Sequence, residues 1–410
     1  MRAEIICVGT ELLMGQVLNT NTRYLAQGLA PAGIDVYYQL VVGDNPARLK
    51  EAVQTSLNRS DILLLSGGLG PTEDDLTKET VAEAMGLVPL ELYPEEWDKI
   101  VAYFAKTNRI PSPNNKKQAM FPKTGCTILP NPKGTAPGCI LEKDGKAAVL
   151  MPGPPRELIP MFEDYVAPWL AKKSDHKLYS RELRIFGMGE GQVEYTLLPL
   201  IDGQTNPTLA TYAETGEVKL RITARCESME EGEGILAPYI EKVHALLGDV
   251  IYSDAGKTLP QCCHDLLIAQ GKTLSCAESC TGGLLSSAFV DLPGSSAYFM
   301  EGDVTYAESA KMASLGVKAD TLKNYSAVSA QCAREMAEGM RKKARTDYAL
   351  ATTGYAGPDG EEVGHVFVAL SYEGGTEVRE LNLTGDRSRI RRLAVLNGLD
   401  LLRRKLTAGA

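Results

Sequence analysis

Seven residues, Ala277-Glu278-Ser279-Cys280-Thr281-Gly282-Gly283, gather the densest set of reactive side chains in the sequence. They follow a strand-like run, residues 273–276, and lead into residues 284–289, which read as helix. A turn of this kind admits three chemistries. Amides at a helix N-terminus cradle a phosphate. The same amides form an oxyanion hole when Ser279 or Cys280 is presented as a nucleophile. Alternatively, a hydroxyl caps the helix and the glycines allow close packing. The seven residues by themselves leave all three open.

A second set lies in the first hundred residues. Gly67-Gly68-Leu69-Gly70 lets the backbone approach an anionic ligand. No Lys-Ser/Thr pair follows, so this is not a Walker loop, and the spacing is not GxGxxG. Asp74 and Asp75 come just after it, and Glu11 and Asp44 close the first two strand-like runs. Hard oxygen donors beside a phosphate site suit a divalent cation bridging a pyrophosphate. Acids in a first helical turn also simply complement the helix dipole.

Composition narrows the classes. A chain of 410 residues calls for two or three domains. The formal charge of −9 argues against a general nucleic-acid footprint. No apolar run approaches membrane-spanning length and residues 1–8 are unlike a signal peptide, so no membrane partner and a cytoplasmic location are expected. The nine cysteines are odd in number and none has CxxC spacing, which suits a reducing compartment. The four histidines, His176, His244, His264 and His365, all lie outside the motif-rich stretches. A Ser-His-Asp triad and a multi-histidine metal site are therefore disfavoured.

The elements that must position these groups alternate. Strand-like runs at 4–8, 34–42 and 61–65 are separated by helical patterns at 19–30 and 46–57, and a third helix runs to residue 85. This βαβαβ order predicts a doubly wound sheet with ligands beyond the carboxyl ends of the strands. Residues 138–152 read as a hairpin turning at Asp144-Gly145. Residues 172–176 read as a polar linker. From 178 to 253 the pattern is a small α+β unit. Its Gly187-Met188-Gly189-Glu190-Gly191 resembles the glycine loop of a nucleic-acid-binding module but lacks a basic cluster, so a spacer or interaction role is expected. A second α/β pattern follows: helix 261–270, the opening turn, helix 330–343, strands near 348–353, 365–371 and 378–383, and a basic helix at 388–406. The predicted fold class is α/β: a doubly wound domain at 1–171, a small α+β domain at 177–254 and a second α/β domain at 258–410.

These motifs carry a resemblance over essentially the whole chain. Gly9-Thr10-Glu11-Leu12-Leu13-x-Gly15, Gly43-Asp44-Asn45 and Gly67-Gly68-Leu69-Gly70-Pro71-Thr72-x-Asp74-Asp75 resemble the molybdopterin-binding-type domain of the CinA family. Ala277 to Gly283, Tyr306 with Lys311, and Thr353-Gly354-x-Ala356-Gly357-Pro358 resemble its C-terminal amidohydrolase domain. The resemblance implies deamidation of nicotinamide mononucleotide by the C-terminal domain, without a cofactor. It implies metal-dependent hydrolysis of ADP-ribose by the N-terminal domain, and a homodimer. On that reading Ser279 is the nucleophile, Lys311 the base if burial lowers its pKa, and Tyr306 a proton relay. Cys280, Thr281, Gly282, Gly283, Thr353 and Gly354 surround the oxyanion. Ser296 and one of Arg387, Arg391 or Arg392 hold the phosphate, with Arg391 the best match. In the N-terminal domain Gly9, Thr10, Asn45, Gly67, Gly68, Gly70 and Thr72 face the nucleotide, and Glu11, Asp44, Asp74 and Asp75 the metal. One departure from the family pattern is the short, acidic loop Asp359-Gly360-Glu361-Glu362-Val363-Gly364, where the family often has a longer glycine-rich insert. A catalytically degenerate nucleotide-binding or competence-associated interaction protein is the alternative, and a molybdopterin-handling enzyme a third reading.

Overall fold

The computed structural model describes residues 1–106, 108–173, 177–358, 360 and 362–408. The linker expected at 172–176 and the acidic loop after Pro358 fall partly outside the described residues. The chain forms two compact units. The first comprises residues 1–180 and 224–235, the second residues 181–223 and 236–410.

The first unit is built on strands β1 (Arg2–Val8), β2 (Asp35–Val42), β3 (Ile62–Ser66), a short ribbon of β4 (Leu90–Leu92) and β5 (Met120–Pro122), then β6 (Cys126–Leu129), β7 (Gly138–Lys143) and β8 (Lys146–Met151). The main sheet has the order β2-β1-β3-β8-β7-β6. β1 pairs parallel to β2 and β3, and β3 parallel to β8. β7 and β6 add an antiparallel edge. β1 and β3 are buried nearly throughout, as strands covered by helices on both faces must be. Successive residues serve opposite faces: Ile5, Ile62 and Leu64 enter one core, Ile6, Leu63 and Leu65 the other. Sequence patterning did not resolve residues 90–122, where helix Pro94–Ala105 sits beside the ribbon. The Asp144-Gly145 hairpin has both turn residues at positive φ, 50° and 76°, as a two-residue turn of this hand requires.

A four-stranded sheet follows, in the order β10-β11-β9-β12, from β9 (Lys177–Phe186), β10 (Thr208–Glu214), β11 (Glu217–Cys226) and β12 (Ile251–Ser253). The last sheet comprises β13 (Leu274–Glu278), β14 (Phe299–Val304), β15 (Tyr348–Gly354), β16 (His365–Tyr372) and β17 (Gly375–Asn382), in the order β14-β13-β15-β16-β17. β13 is central and parallel to both neighbours, and β16 and β17 close an antiparallel edge. In both main sheets the chain leaves a central strand and its two parallel neighbours lie on opposite sides. That is the topological switch point where α/β sheets open a crevice at the carboxyl ends of the strands. The crevice at β1/β3 receives the glycine loops, and the one at β13 receives Ser279. No helix among the described residues is long and apolar enough to cross a membrane.

Candidate functional site

At the end of β13 the chain turns from Glu278 into helix Leu284–Val290. The turn is held by the backbone and by one carboxylate. Ser279 N donates to Thr352 O at 2.9 Å, and Gly282 N to Ser279 O at 3.1 Å. Glu278, fully buried, accepts from Gly283 N (2.9 Å), Leu285 N (3.0 Å), Ser286 N (2.8 Å) and Ser286 Oγ (2.6 Å). It thereby satisfies amides of the first helical turn that no intrahelical carbonyl can reach. Gly282 and Gly283 lie at φ 57° and 94°, the left-handed region that lets the turn close this tightly. Sequence reading passed over Glu278, although a carboxylate just before a glycine turn and a helix is an available signal for such a cap.

Helix Glu308–Leu315 carries Lys311 inward, leaving it 1% exposed. Its Nζ donates to Ser279 Oγ at 3.0 Å, to Thr305 O at 2.8 Å and to Tyr306 O at 3.0 Å. Burial lowers the Lys311 pKa from its usual value. As the ammonium it donates to all three oxygens; once deprotonated, its two N–H bonds serve the two carbonyls and its lone pair faces the Ser279 hydroxyl as the acceptor of that proton. Cys280 is instead buried against Ala356, Val366 and Ile390, and burial pushes its thiol up to about 11. The thiolate needed for attack is thus scarce near neutral pH.

Several expected roles shift. The Gly282 and Gly283 amides are already engaged within the turn, so they do not form the oxyanion hole. The N–H groups of Cys280 and Thr281 make no hydrogen bond among the described residues and are the donors left beside Ser279. Thr281 Oγ1 shares a 2.6 Å hydrogen bond with Thr352 Oγ1. Thr353 Oγ1 donates to Ala327 O at 2.7 Å, and Gly354 is a packing position where a Cβ would meet Val366 at 2.6 Å. Arg391 is not an open anion site: its Nε donates to Cys280 O at 3.1 Å and its Nη2 to Thr281 O at 2.6 Å, clamping the turn from helix Arg387–Ala408. Tyr306 reaches Lys311 through its carbonyl. Its ring is exposed, and its hydroxyl accepts from Arg387 Nη2 at 3.4 Å. Arg387 also donates to Gly357 O at 2.7 Å. Ser296 precedes β14, which runs parallel to β13 with Phe299 opposite Leu274. Ser279 is five residues beyond Leu274, so the two serines lie toward opposite ends of adjacent strands, about 17 Å apart at ~3.3 Å per residue. Within one chain Ser296 does not join this site.

In the first unit a cleft of ≈ 410 Å³ is lined by Gly9, Gly67, Gly68, Gly70 and by the expected carboxylates Glu11, Asp44, Asp74 and Asp75, together with Glu157. Gly67 and Gly68 adopt φ 101° and 67°, and a Cβ on Gly68 would sit 2.0 Å from Thr77 Oγ1. Thr10, Asn45 and Thr72 turn to local work. Thr10 N donates to Asp44 Oδ2 at 2.8 Å, Asn45 Oδ1 caps helix Pro46–Arg59 by accepting from Arg48 N at 3.0 Å, and Thr72 N donates to Asp75 Oδ2 at 3.0 Å. Among the described residues no three His, Cys, Asp or Glu side chains are disposed to hold a metal ion. The carboxylates share a cleft, and a divalent cation there would need phosphate oxygens of a bound nucleotide to complete its shell.

The chain matches "Probable molybdopterin binding domain" over residues 4–172, "Damage-inducible protein CinA KH domain" over 180–253 and "CinA C-terminal domain" over 256–406. It is 49% identical over 408 residues to a "Putative competence-damage inducible protein" of Acetivibrio thermocellus, covering 98% of each chain. It is 47% identical to a protein of the same name in Clostridium acetobutylicum, covering 99% of each. A crystal structure of a competence-damaged protein (CinA) superfamily protein from Klebsiella pneumoniae is 38% identical over 37% of this chain and 96% of that one, with a TM-score of 0.36.

Proposed function

The chain belongs to the CinA family, and from that premise we propose that its second unit hydrolyses a carboxamide, that of nicotinamide mononucleotide, with Ser279 as nucleophile and Lys311 as base. The observation that carries this reading is a buried lysine with a lowered pKa whose Nζ lies 3.0 Å from a serine hydroxyl at the sheet's switch point. Ser279 Oγ attacks the amide carbon and its proton passes to Nζ. The oxyanion meets the N–H groups of Cys280 and Thr281. The C–N bond breaks as Lys311 returns the proton to the departing nitrogen, which leaves as ammonia. Water then attacks the acyl-serine and gives a proton to Lys311, and collapse releases nicotinic acid mononucleotide and restores the serine hydroxyl. No cofactor enters these steps. Tyr306 and Arg387 are read as part of the mouth. The test is ammonia release from nicotinamide mononucleotide by the intact protein. Turnover that Ser279→Ala abolishes is expected; no release from the correctly folded protein refutes the assignment.

For the first unit we infer a binding site for a phosphate-bearing nucleotide, supported by the glycine-lined cleft. Hydrolysis of ADP-ribose with a divalent metal is the finer reading. Glu11, Asp44, Asp74 and Asp75 would hold the metal together with the nucleotide's phosphates, and it would supply charge neutralisation there. ADP-ribose turnover measured with and without magnesium tests it, and a rate unchanged by Asp74→Asn plus Asp75→Asn removes those residues from the chemistry.

A further inference from the structure

A second cleft, of ≈ 470 Å³, lies in the second unit, and neither Ser279 nor Lys311 lines it. Its size falls in the range of small-molecule sites, roughly 300–1,000 Å³. One wall is the tip of the β10–β11 hairpin, where Glu214 stands opposite Glu217. Gly216 in that turn is at φ 82°, and a Cβ there would meet Leu393 Cδ2 at 2.4 Å. The tip is therefore seated closely on helix Arg387–Ala408. The floor is apolar, made by Val395, Leu396 and Leu399.

Two charged groups lining this cleft have bonding capacity that the protein does not use. Glu217 is 6% exposed, and its Oε1 accepts from the Tyr252 hydroxyl. Its Oε2 has no hydrogen-bond partner among the described residues. Burial, helped by the neighbouring Glu214 charge, raises the Glu217 carboxyl above its usual value despite the opposing pull of the Tyr252 hydroxyl and of Arg184 and Arg392. Arg392 is exposed at the rim, and its guanidinium makes no hydrogen bond or ion pair among the described residues. A simple cation in this cleft would face Arg392. A simple anion would face Glu214, Glu217 and Asp291.

We propose that the cleft binds a small zwitterion with an apolar body, an α-amino acid with a large apolar side chain. Its ammonium donates to Glu217 Oε2, its carboxylate accepts from Arg392, and its side chain lies on Val395, Leu396 and Leu399. The walls also include Leu284 and Ser287 of the helix that Glu278 caps, and Arg392 adjoins the Arg391 clamp. The ligand therefore touches both helices that fasten the nucleophile turn.

The test is calorimetric titration of the intact protein with L-phenylalanine, phenethylamine and 3-phenylpropanoate. L-phenylalanine is expected to bind saturably and at least about tenfold more tightly than either singly charged analogue, since one charge-assisted hydrogen bond is worth about that factor. Arg392→Gln, at an exposed position, should remove the advantage over phenethylamine without loss of folding, and Glu217→Gln should remove the advantage over 3-phenylpropanoate. Equal binding of the three compounds, no saturable binding, or phenylalanine affinity unchanged in Arg392→Gln overturns the proposal. Binding is read without turnover, so a failed deamidation assay leaves this result standing, and the reverse holds as well.

Discussion

Replacing Glu278 by Gln tests the architecture of the nucleophile turn most directly. The carboxylate accepts four hydrogen bonds, two at each oxygen. Glutamine keeps one accepting oxygen and turns an NH2 group toward the other two donors. If the NH2 faces Ser286, the hydroxyl rotates to accept from it, but Ser286 N still meets a donor. If it faces Gly283 and Leu285, both amides are left unpaired. Each lost bond to a charged acceptor is worth about 1.5–3 kcal/mol, so a cost of about 3 kcal/mol is expected. For a unit of some two hundred residues that lowers the melting temperature by roughly 6–12 °C. The turn that carries Ser279 relaxes with it, and a shift of about 1 Å at a reacting group lowers turnover on the order of a hundredfold. Scanning calorimetry of the full chain and ammonia release from nicotinamide mononucleotide measure the two effects separately. A melting temperature within a degree of the parent and an unchanged rate would refute the reasoning.

Other consequences are sharper in kind than in size. Acylation requires neutral Lys311, so the rate should rise with pH through a pKa below 10.5, the usual value from which burial has lowered it. The unfolded chain holds that proton more tightly, so stability contributed at this site also rises with pH between the folded and unfolded values. Lys311→Met should lower the rate by roughly 10²–10⁴-fold and abolish the limb in the pH profile, and a persisting limb assigns it to another group. Cys280→Ala should retain most activity, because its thiol faces the core with a pKa pushed up to about 11; loss comparable to that of Ser279→Ala would make the thiol the nucleophile. Arg391→Gln should lower turnover chiefly through kcat, since the guanidinium holds Cys280 O and Thr281 O and the amides beside them. A change confined to KM would restore Arg391 as a phosphate contact.

Much of this protein is legible in one dimension because its signals are local. Apolar runs at 4–8 and 61–65, punctuated by glycine and followed by helical periodicity, determine parallel strands and hence the edge at which ligands collect. The Ser279 turn belongs to that level, since a residue at a strand's end is delivered to the crevice by topology, whereas Lys311, inside helix Glu308–Leu315, is reached only through the family resemblance. Asp144-Gly145 as a hairpin turn is equally local, fixed by backbone demands within a few residues. What sequence could not assign is which of several polar groups finds which partner. Arg387 and Arg391 lie one turn apart on the same helix face and meet a loop carbonyl with a tyrosine and the nucleophile turn, whereas Arg392, about 100° round the helix, lines a separate cleft. Ser296 lies near the site in sequence order and toward the opposite end of the adjacent strand in space. The Gly282 and Gly283 amides are consumed by Ser279 O and by Glu278 respectively, which leaves Cys280 and Thr281 as donors. Four carboxylates from distant stretches of the sequence converge on one cleft. Such outcomes depend on bond directions and distances of a few tenths of an ångström. Those are set only when the strands register and the helices pack.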